Sequence, residues 1–189
     1  MIDTALAQIA ASLNQSFRRG FGVGEDLVAV TGLLDQDGGV AAQSAGKLSM
    51  FVVNIERETL VHAPARATSG VRAGLAPAPV SLNLMVMFAA NFASANYLEA
   101  LKLISGTVAF FQSRPLFDHH NTPDLDPRID RLALDIANLG LGELGNVWGI
   151  LGGKYVPSVL YRLRLVSIDA NQVFAEVPRI LQHDVQAGG

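Results

Sequence analysis

The stretch from Pro79 to Gln112 leaves this chain few ways to fold. Val80, Leu82, Leu84, Val86 and Phe88 are apolar at every second position, with Ser81, Asn83, Met85, Met87 and Ala89 between them. A period of two over this length predicts a β-strand with one buried face. From Ser94 the period changes. Tyr97, Leu101, Ile104, Val108 and Phe111 advance in steps of four, three, four and three, which sets all five on one side of an α-helix. Ser94 is placed as the N-cap, its hydroxyl accepting from an unpaired amide of the first turn. Arg114-Pro115 ends the helix, because the residue before a proline is pushed out of the helical region. A strand running directly into an amphipathic helix is the predicted heart of the fold.

The flanking segments follow the same two periods. Ile2, Leu6, Ile9, Leu13 and Phe17 predict a helix over Met1–Arg19, with Asp3 in its first turn and Arg18-Arg19 in its last, as the helix dipole favours. Gly20, Gly22 and Gly24 break it. Leu27–Leu34 reads as a strand, and Asp35-Gln36-Asp37-Gly38-Gly39 as a turn. Leu48–Arg57 is apolar on both faces, the pattern of a strand covered on both sides. Between Arg57 and Pro79 the composition is that of a loop, rich in Ala, Pro and Gly and long enough to suit an arm that orders against a neighbour. Phe117–Pro123 reads as loop, and Ile129, Leu132, Leu134 and Ile136 mark another strand. Leu141–Leu151 is a short helix with Leu144, Trp148 and Leu151 on one side. Its glycines weaken it, so that packing must hold it. Trp148 is assigned to core packing. Val159, Tyr161, Leu163 and Leu165 alternate with Leu160, Arg162 and Arg164 in a further strand, and Val173, Ala175 and Val177 in a last short one.

The expected architecture is α+β: a single mixed, mainly antiparallel sheet of five or six strands packed by three helices. It forms one domain over residues 1–180, with 181–189 as a frayed C-terminal tail. A chain of 189 residues suffices for one such core. Half the residues are hydrophobic and only 16% are charged, which points to a surface partly covered by partners. A net charge of −3 argues against a general nucleic-acid binder. No cysteine is present, so thiolate chemistry and disulfides are excluded. The longest apolar run, Leu84–Ala90, falls far short of the roughly 18 residues that cross a bilayer. The N-terminus lacks the basic and apolar regions of a secretory signal, so the expected location is the cytoplasm unless the protein leaves within a larger particle.

No cofactor motif survives inspection. Gly20-Phe21-Gly22-Val23-Gly24 follows a helix, where a dinucleotide loop follows a strand. Gly152-Gly153-Lys154 fails as a phosphate loop, because Trp148 stands where its first glycine belongs and Tyr155 where Ser or Thr belongs. Asp118, His119, His120, Asp124 and Asp126 have the chemistry of divalent-metal ligands but sit in a proline-bounded loop without helical His spacing; a polar loop is the plainer reading. Glu56 and Glu58 read as a solvated or interfacial pair rather than a general acid and base. Arg162 and Arg164 share one strand face. They mark either an exposed sheet surface or a subunit contact, which arginine tolerates because it pairs with carboxylates.

A wider resemblance rests on several segments in order. They are Met1–Leu6 with Phe17-Arg18-Arg19, Val53-Asn54-Ile55-Glu56-Arg57-Glu58, and Leu82-Asn83-Leu84 with Phe88-Ala89-Ala90-Asn91-Phe92 and Tyr97-Leu98. Leu144, Trp148, Leu151-Gly152-Gly153-Lys154-Tyr155-Val156-Pro157-Ser158 and Tyr161-Arg162 complete them. Together, from Met1 to about Pro178, the chain resembles the tail-terminator or cap proteins of extracellular contractile injection systems, the phage-tail-like particles of antifeeding-prophage type. The resemblance implies a phage tail-terminator-like fold and a structural rather than enzymatic role: a six-fold ring that closes the baseplate-distal end, stops inner-tube growth and ties the sheath to it. It implies no catalytic, metal or cofactor residues. Partners would be the chain itself as a homohexamer and the tube and sheath proteins, with neither nucleic acid nor membrane. Assembly would occur in the bacterial cytoplasm before the chain becomes part of the particle. Arg57, Arg66, Arg72, Arg162 and Arg164 are the expected subunit, tube or sheath contacts. Two alternatives stand beside this reading: a small metal-dependent enzyme using the Asp118–Asp126 loop, and an adaptor that binds tube or sheath without forming a ring.

Overall fold

The computed structural model describes residues 1–35, 37–58, 81–152 and 154–167. The elements are α1 (Ile2–Phe21), β1 (Val28–Val30), β2 (Lys47–Arg57), β3 (Ser81–Asn91), α2 (Tyr97–Ser113), β4 (Leu116–Asp118), β5 (Ile129–Ile136), α3 (Leu141–Ile150) and β6 (Ser158–Ser167). The described strands form one six-stranded sheet in the order β1-β2-β3-β6-β5-β4. β1 runs parallel to β2, and every other neighbouring pair is antiparallel. The expected α+β class, with a mixed and mainly antiparallel sheet, is what the chain adopts. The predicted strand at Val173–Val177, the tail, and most of the Arg57–Pro79 stretch lie outside the described residues.

One face of the sheet carries the main core. α1 buries Leu6, Ile9, Leu13 and Phe17, four of its five predicted positions, and ends at Gly22, whose left-handed backbone lets its N–H reach the Arg18 carbonyl at 3.1 Å. Asn14, buried in the same helix, clamps the edge strand: its Nδ2 donates to the Val28 carbonyl at 2.9 Å, and its Oδ1 accepts from the Val28 N–H at 2.8 Å. This pair satisfies backbone groups that a three-residue strand leaves open. Under α2, Phe88, Phe111 and Tyr161 form an aromatic triangle with ring centroids 5.0 to 5.6 Å apart. Burial pushes the Tyr161 phenol up to about 12.

The second face is also covered, over half its length. Met87 and Ala89 of β3 and Leu160 of β6 pack beneath Trp148 of α3. β3 is therefore buried on both faces at its C-terminal end, not on one as the alternation suggested. Alternation cannot distinguish a small or flexible residue facing solvent from one facing a second layer. Trp148 takes its expected place in the core, with Leu144 and Val147 beside it.

α2 is rotated from its predicted orientation. It buries Ala100, Leu103, Thr107 and Phe111, while Tyr97 and Leu101 stand exposed. The rotation follows from two small residues. A Cβ on Gly106 would lie 2.9 Å from a Phe17 ring carbon, so α1 and α2 approach closely only because this residue is glycine. Thr107 can be buried because its hydroxyl donates to the Leu103 carbonyl at 2.7 Å. Ser94 is not the N-cap: Ser94–Asn96 form a 3₁₀ turn, and α2 begins at Tyr97 without a side-chain cap bond. The Leu27–Leu34 strand is cut to Val28–Val30. β4 is an addition, since three residues are too few to display a period. The uneven spacing of Ile129, Leu132 and Leu134 in β5 is a register shift between Ile129 and Arg131 that keeps all three buried.

Candidate assembly surfaces

The half of the second face that α3 leaves open is polar. Pairing across β2, β3, β6 and β5 places Asn54, Met85, Arg162 and Asp135 in one row and Glu56, Asn83, Arg164 and Ala133 in the next. Directly paired residues stand on the same face. Within these rows Glu58, whose side chain is only 8% exposed, accepts from Asn83 Nδ2 at 2.9 Å, and its Oε2 lies 3.4 Å from Arg164 Nε. Asn54 donates to Glu56 at 2.9 Å. Arg164 is thus half-buried and anchored, whereas Arg162 is exposed in register with Asp135. An exposed guanidinium of this kind offers a planar fork to a carboxylate.

Of the five predicted contact arginines, the structure brings together Arg162 and Arg164. Arg57 pairs with Leu82 at the end of β2 and therefore projects from the opposite face, the one that carries α1 and α2. Arg66 and Arg72 lie outside the described residues.

The histidine–aspartate loop does not converge on a point. Asp118 accepts from the backbone N–H groups of His120 at 2.9 Å and Asn121 at 3.0 Å, and the Asn121 bond leads in holding its carboxyl below the usual range. His119 Nε2 lies 2.8 Å from the Ile129 carbonyl. Asp126 accepts from Arg128 Nη2 at 2.6 Å and Nε at 3.0 Å and from the Thr4 hydroxyl at 2.8 Å. The Arg128 side chain leads in holding the Asp126 carboxyl well below the usual range. Arg114 closes the loop from the other side, donating to the Asn121 carbonyl at 2.6 Å and to Thr122 Oγ1 at 2.8 Å, with its guanidinium 4.7 Å from the Phe117 ring centre. These groups are occupied in shaping the turn into β5. Among the described residues no three His, Cys, Asp or Glu side chains gather where a metal could sit.

Two apolar surfaces escaped the sequence reading. On the first face, Phe21 of α1 and Leu98, Leu101, Ser105, Gly106 and Ala109 of α2 line a shallow groove with Lys102 on its wall; Leu98 is 72% exposed. On the second face, α3 exposes Leu141 at its first turn, 89% exposed, and Ile150 at its last, 85% exposed; at about 100° per residue the two stand on opposite sides of the helix. The signal for both was present as excess. α2 has more apolar residues than one face can bury, and α3 carries a single charge, Glu143, in ten residues.

Comparison with known proteins places this architecture. The model of the Pvc16 N-terminal domain family matches residues 4–182. Two solved structures are similar to this chain. One is the sheath/tube terminator of the extracellular contractile injection system PVC in its extended state, at 18% identity and a TM-score of 0.60, covering 97% of this chain and 64% of that one. The other is the tube-terminating cap of the anti-feeding prophage, at 18% identity and a TM-score of 0.53, covering 92% of this chain and 59% of that one. The likeness is one of fold, and the chain spans less than two thirds of the length of either. A search of curated proteins gives no match.

Proposed function

The chain belongs to the Pvc16 N-terminal domain family, and from that premise we propose that it is the terminator, or cap, of a contractile injection particle. It closes the baseplate-distal end of the inner tube, stops its growth and anchors the sheath. The observation that carries this reading is a fold shared over 97% of the chain with a sheath/tube terminator. The surface chemistry supports a structural role over a catalytic one, since Asp118, His119 and Asp126 of the Asp118–Asp126 loop are committed to backbone groups and to Thr4 and Arg128. The ring is a homohexamer, assembled in the bacterial cytoplasm and carried in the released particle. Its partners are tube and sheath proteins rather than nucleic acid or membrane. Arg162 and Arg164 serve as contacts on the open sheet face and Arg57 on the other, with Arg66 and Arg72 added from the intervening segment.

Electron microscopy of particles from cells with and without the gene tests this. Loss of the protein is expected to leave tubes or sheaths of scattered length, or ends without a plug. Particles of normal length with a closed end would overturn the reading.

A further inference from the structure

We propose that α3 is a hinged cover that unwinds and lifts from the second face while the sheet stays folded, uncovering an apolar shelf made of Met87, Ala89 and Leu160. The helix is weak by itself. Gly142, Gly145 and Gly149 are three of its ten residues, and a Cβ built on any of them would meet nothing within 4 Å. Packing in the closed state therefore does not call for glycine at these positions, in contrast to Gly106, where Phe17 does. What glycine supplies at an exposed helical position is backbone freedom in the unwound state, at the expense of the helix. Glycine also stands at both ends. Gly140 is the N-cap, and Gly152 follows the C-cap Leu151 with a left-handed φ of 94°. Such positions at the ends of an element are where a hinge takes up its change of backbone angle.

The helix is also weakly held. α1 and α2 run close along strands and against each other, whereas α3 comes as close to no strand. Among the described residues no hydrogen bond or ion pair joins an α3 side chain to the sheet; Glu143 accepts from the Gly140 N–H at 2.8 Å, inside the first turn of the helix itself. Trp148 is the one buried residue of α3, and even this anchor is imperfect. Its indole Nε1 is buried without a hydrogen-bond partner, and so are the hydroxyls of Ser49 and Ser158, which flank Ala89 on the shelf below. A closed state that leaves polar groups unpaired is raised in free energy relative to an open one that hydrates them. Opening also enlarges the free half of the face. Met87 and Leu160 lie one pleat along β3 and β6 from Met85 and Arg162, so the shelf continues the polar rows. A half-covered face becomes one continuous surface, polar at one end and apolar at the other.

Trp148 is the only tryptophan, so its indole N–H gives a single proton signal that reports the cover directly. Hydrogen exchange followed by NMR on the purified full chain compares that proton and the backbone amides of Gly145–Leu151 with the amides of β3 and β6. The indole and the α3 amides are expected to exchange together, at least about tenfold faster than the strands. Gly145→Ala, which adds helix propensity and no contact, is expected to slow that exchange about fivefold. Phe88→Leu, in the aromatic triangle on the other face, is expected to speed exchange in the strands about tenfold and leave α3 and the indole as they were, because closed and open states share that triangle. The proposal is overturned if the indole and α3 exchange at the rate of the strands, if Phe88→Leu speeds them along with the strands, or if Gly145→Ala leaves their exchange unchanged.

Discussion

The two faces of the sheet are built for different purposes. The first is covered by two helices and filled by interlocked aromatic rings. The second is covered by one glycine-rich helix over half its length and is otherwise charged. One face therefore supplies most of the free energy of folding, and the other can be altered with little consequence for it. The lesson is that stability and interaction are separated by the thickness of a single sheet: Phe88 and Met87, adjacent in β3, serve opposite sides.

The largest expected effect breaks the first face. Phe88→Ala opens a cavity at the centre of the aromatic triangle and should cost about 3–5 kcal/mol by denaturant unfolding. Arg162→Ala, on the open half of the second face, should stay within about 0.5 kcal/mol. Equal losses would erase the distinction. Next in size is alkaline sensitivity. Burial pushes the folded Tyr161 phenol up to about 12 from its ordinary 10.0, so its contribution is whole below pH 10 and is lost as pH rises towards 12, on the order of 2 kcal/mol. Tyr161→Phe should flatten that fall in unfolding free energy.

Glycine provides a sharper contrast, because the same substitution should change sign between faces. Gly106→Ala drives a methyl into the Phe17 ring and should destabilise by about 1 kcal/mol even after the gain in helix propensity. Gly145→Ala meets nothing and should stabilise by about the same amount. The smallest effect lies at low pH. The carboxyl of Asp126 is held down by Arg128 and Thr4, so its contribution is present above the ordinary carboxylate range and is lost as pH falls below it. Asp126→Asn should make the acid limb of the melting temperature shallower.

What the sequence disclosed depended on how local the signal was. Strands with a clean period of two, such as Val159–Leu165, declared both their conformation and the face on which Arg162 and Arg164 stand. α2 was misread because it carries two apolar stripes. Only contact with α1, through Gly106 and Phe17, chooses between them. The Asn14 clamp on Val28 joins residues fourteen positions apart, and no periodicity announces it. The same holds for the candidate surfaces. That Leu98 and Ile150 stay exposed is decided by which other residues win the places in the core, and that competition is not written at either position.

The position of β6 sets the timing of synthesis. The last described strand to leave the ribosome is inserted between β3 and β5 in the middle of the sheet. From the end of β3 at Asn91 to the end of β6 at Ser167 is 167 − 91 = 76 residues. At roughly 5–20 residues per second this is about 4–15 s of translation. Throughout that interval β3 presents a bare edge, joined by that of β5 once Ile136 has been made, beside half-formed apolar faces, the condition under which nascent chains pair with the wrong strand. A chain truncated before Ser158 has two half-sheets and nothing to zip them together, so its fate is aggregation or capture by a chaperone rather than a smaller version of the same fold.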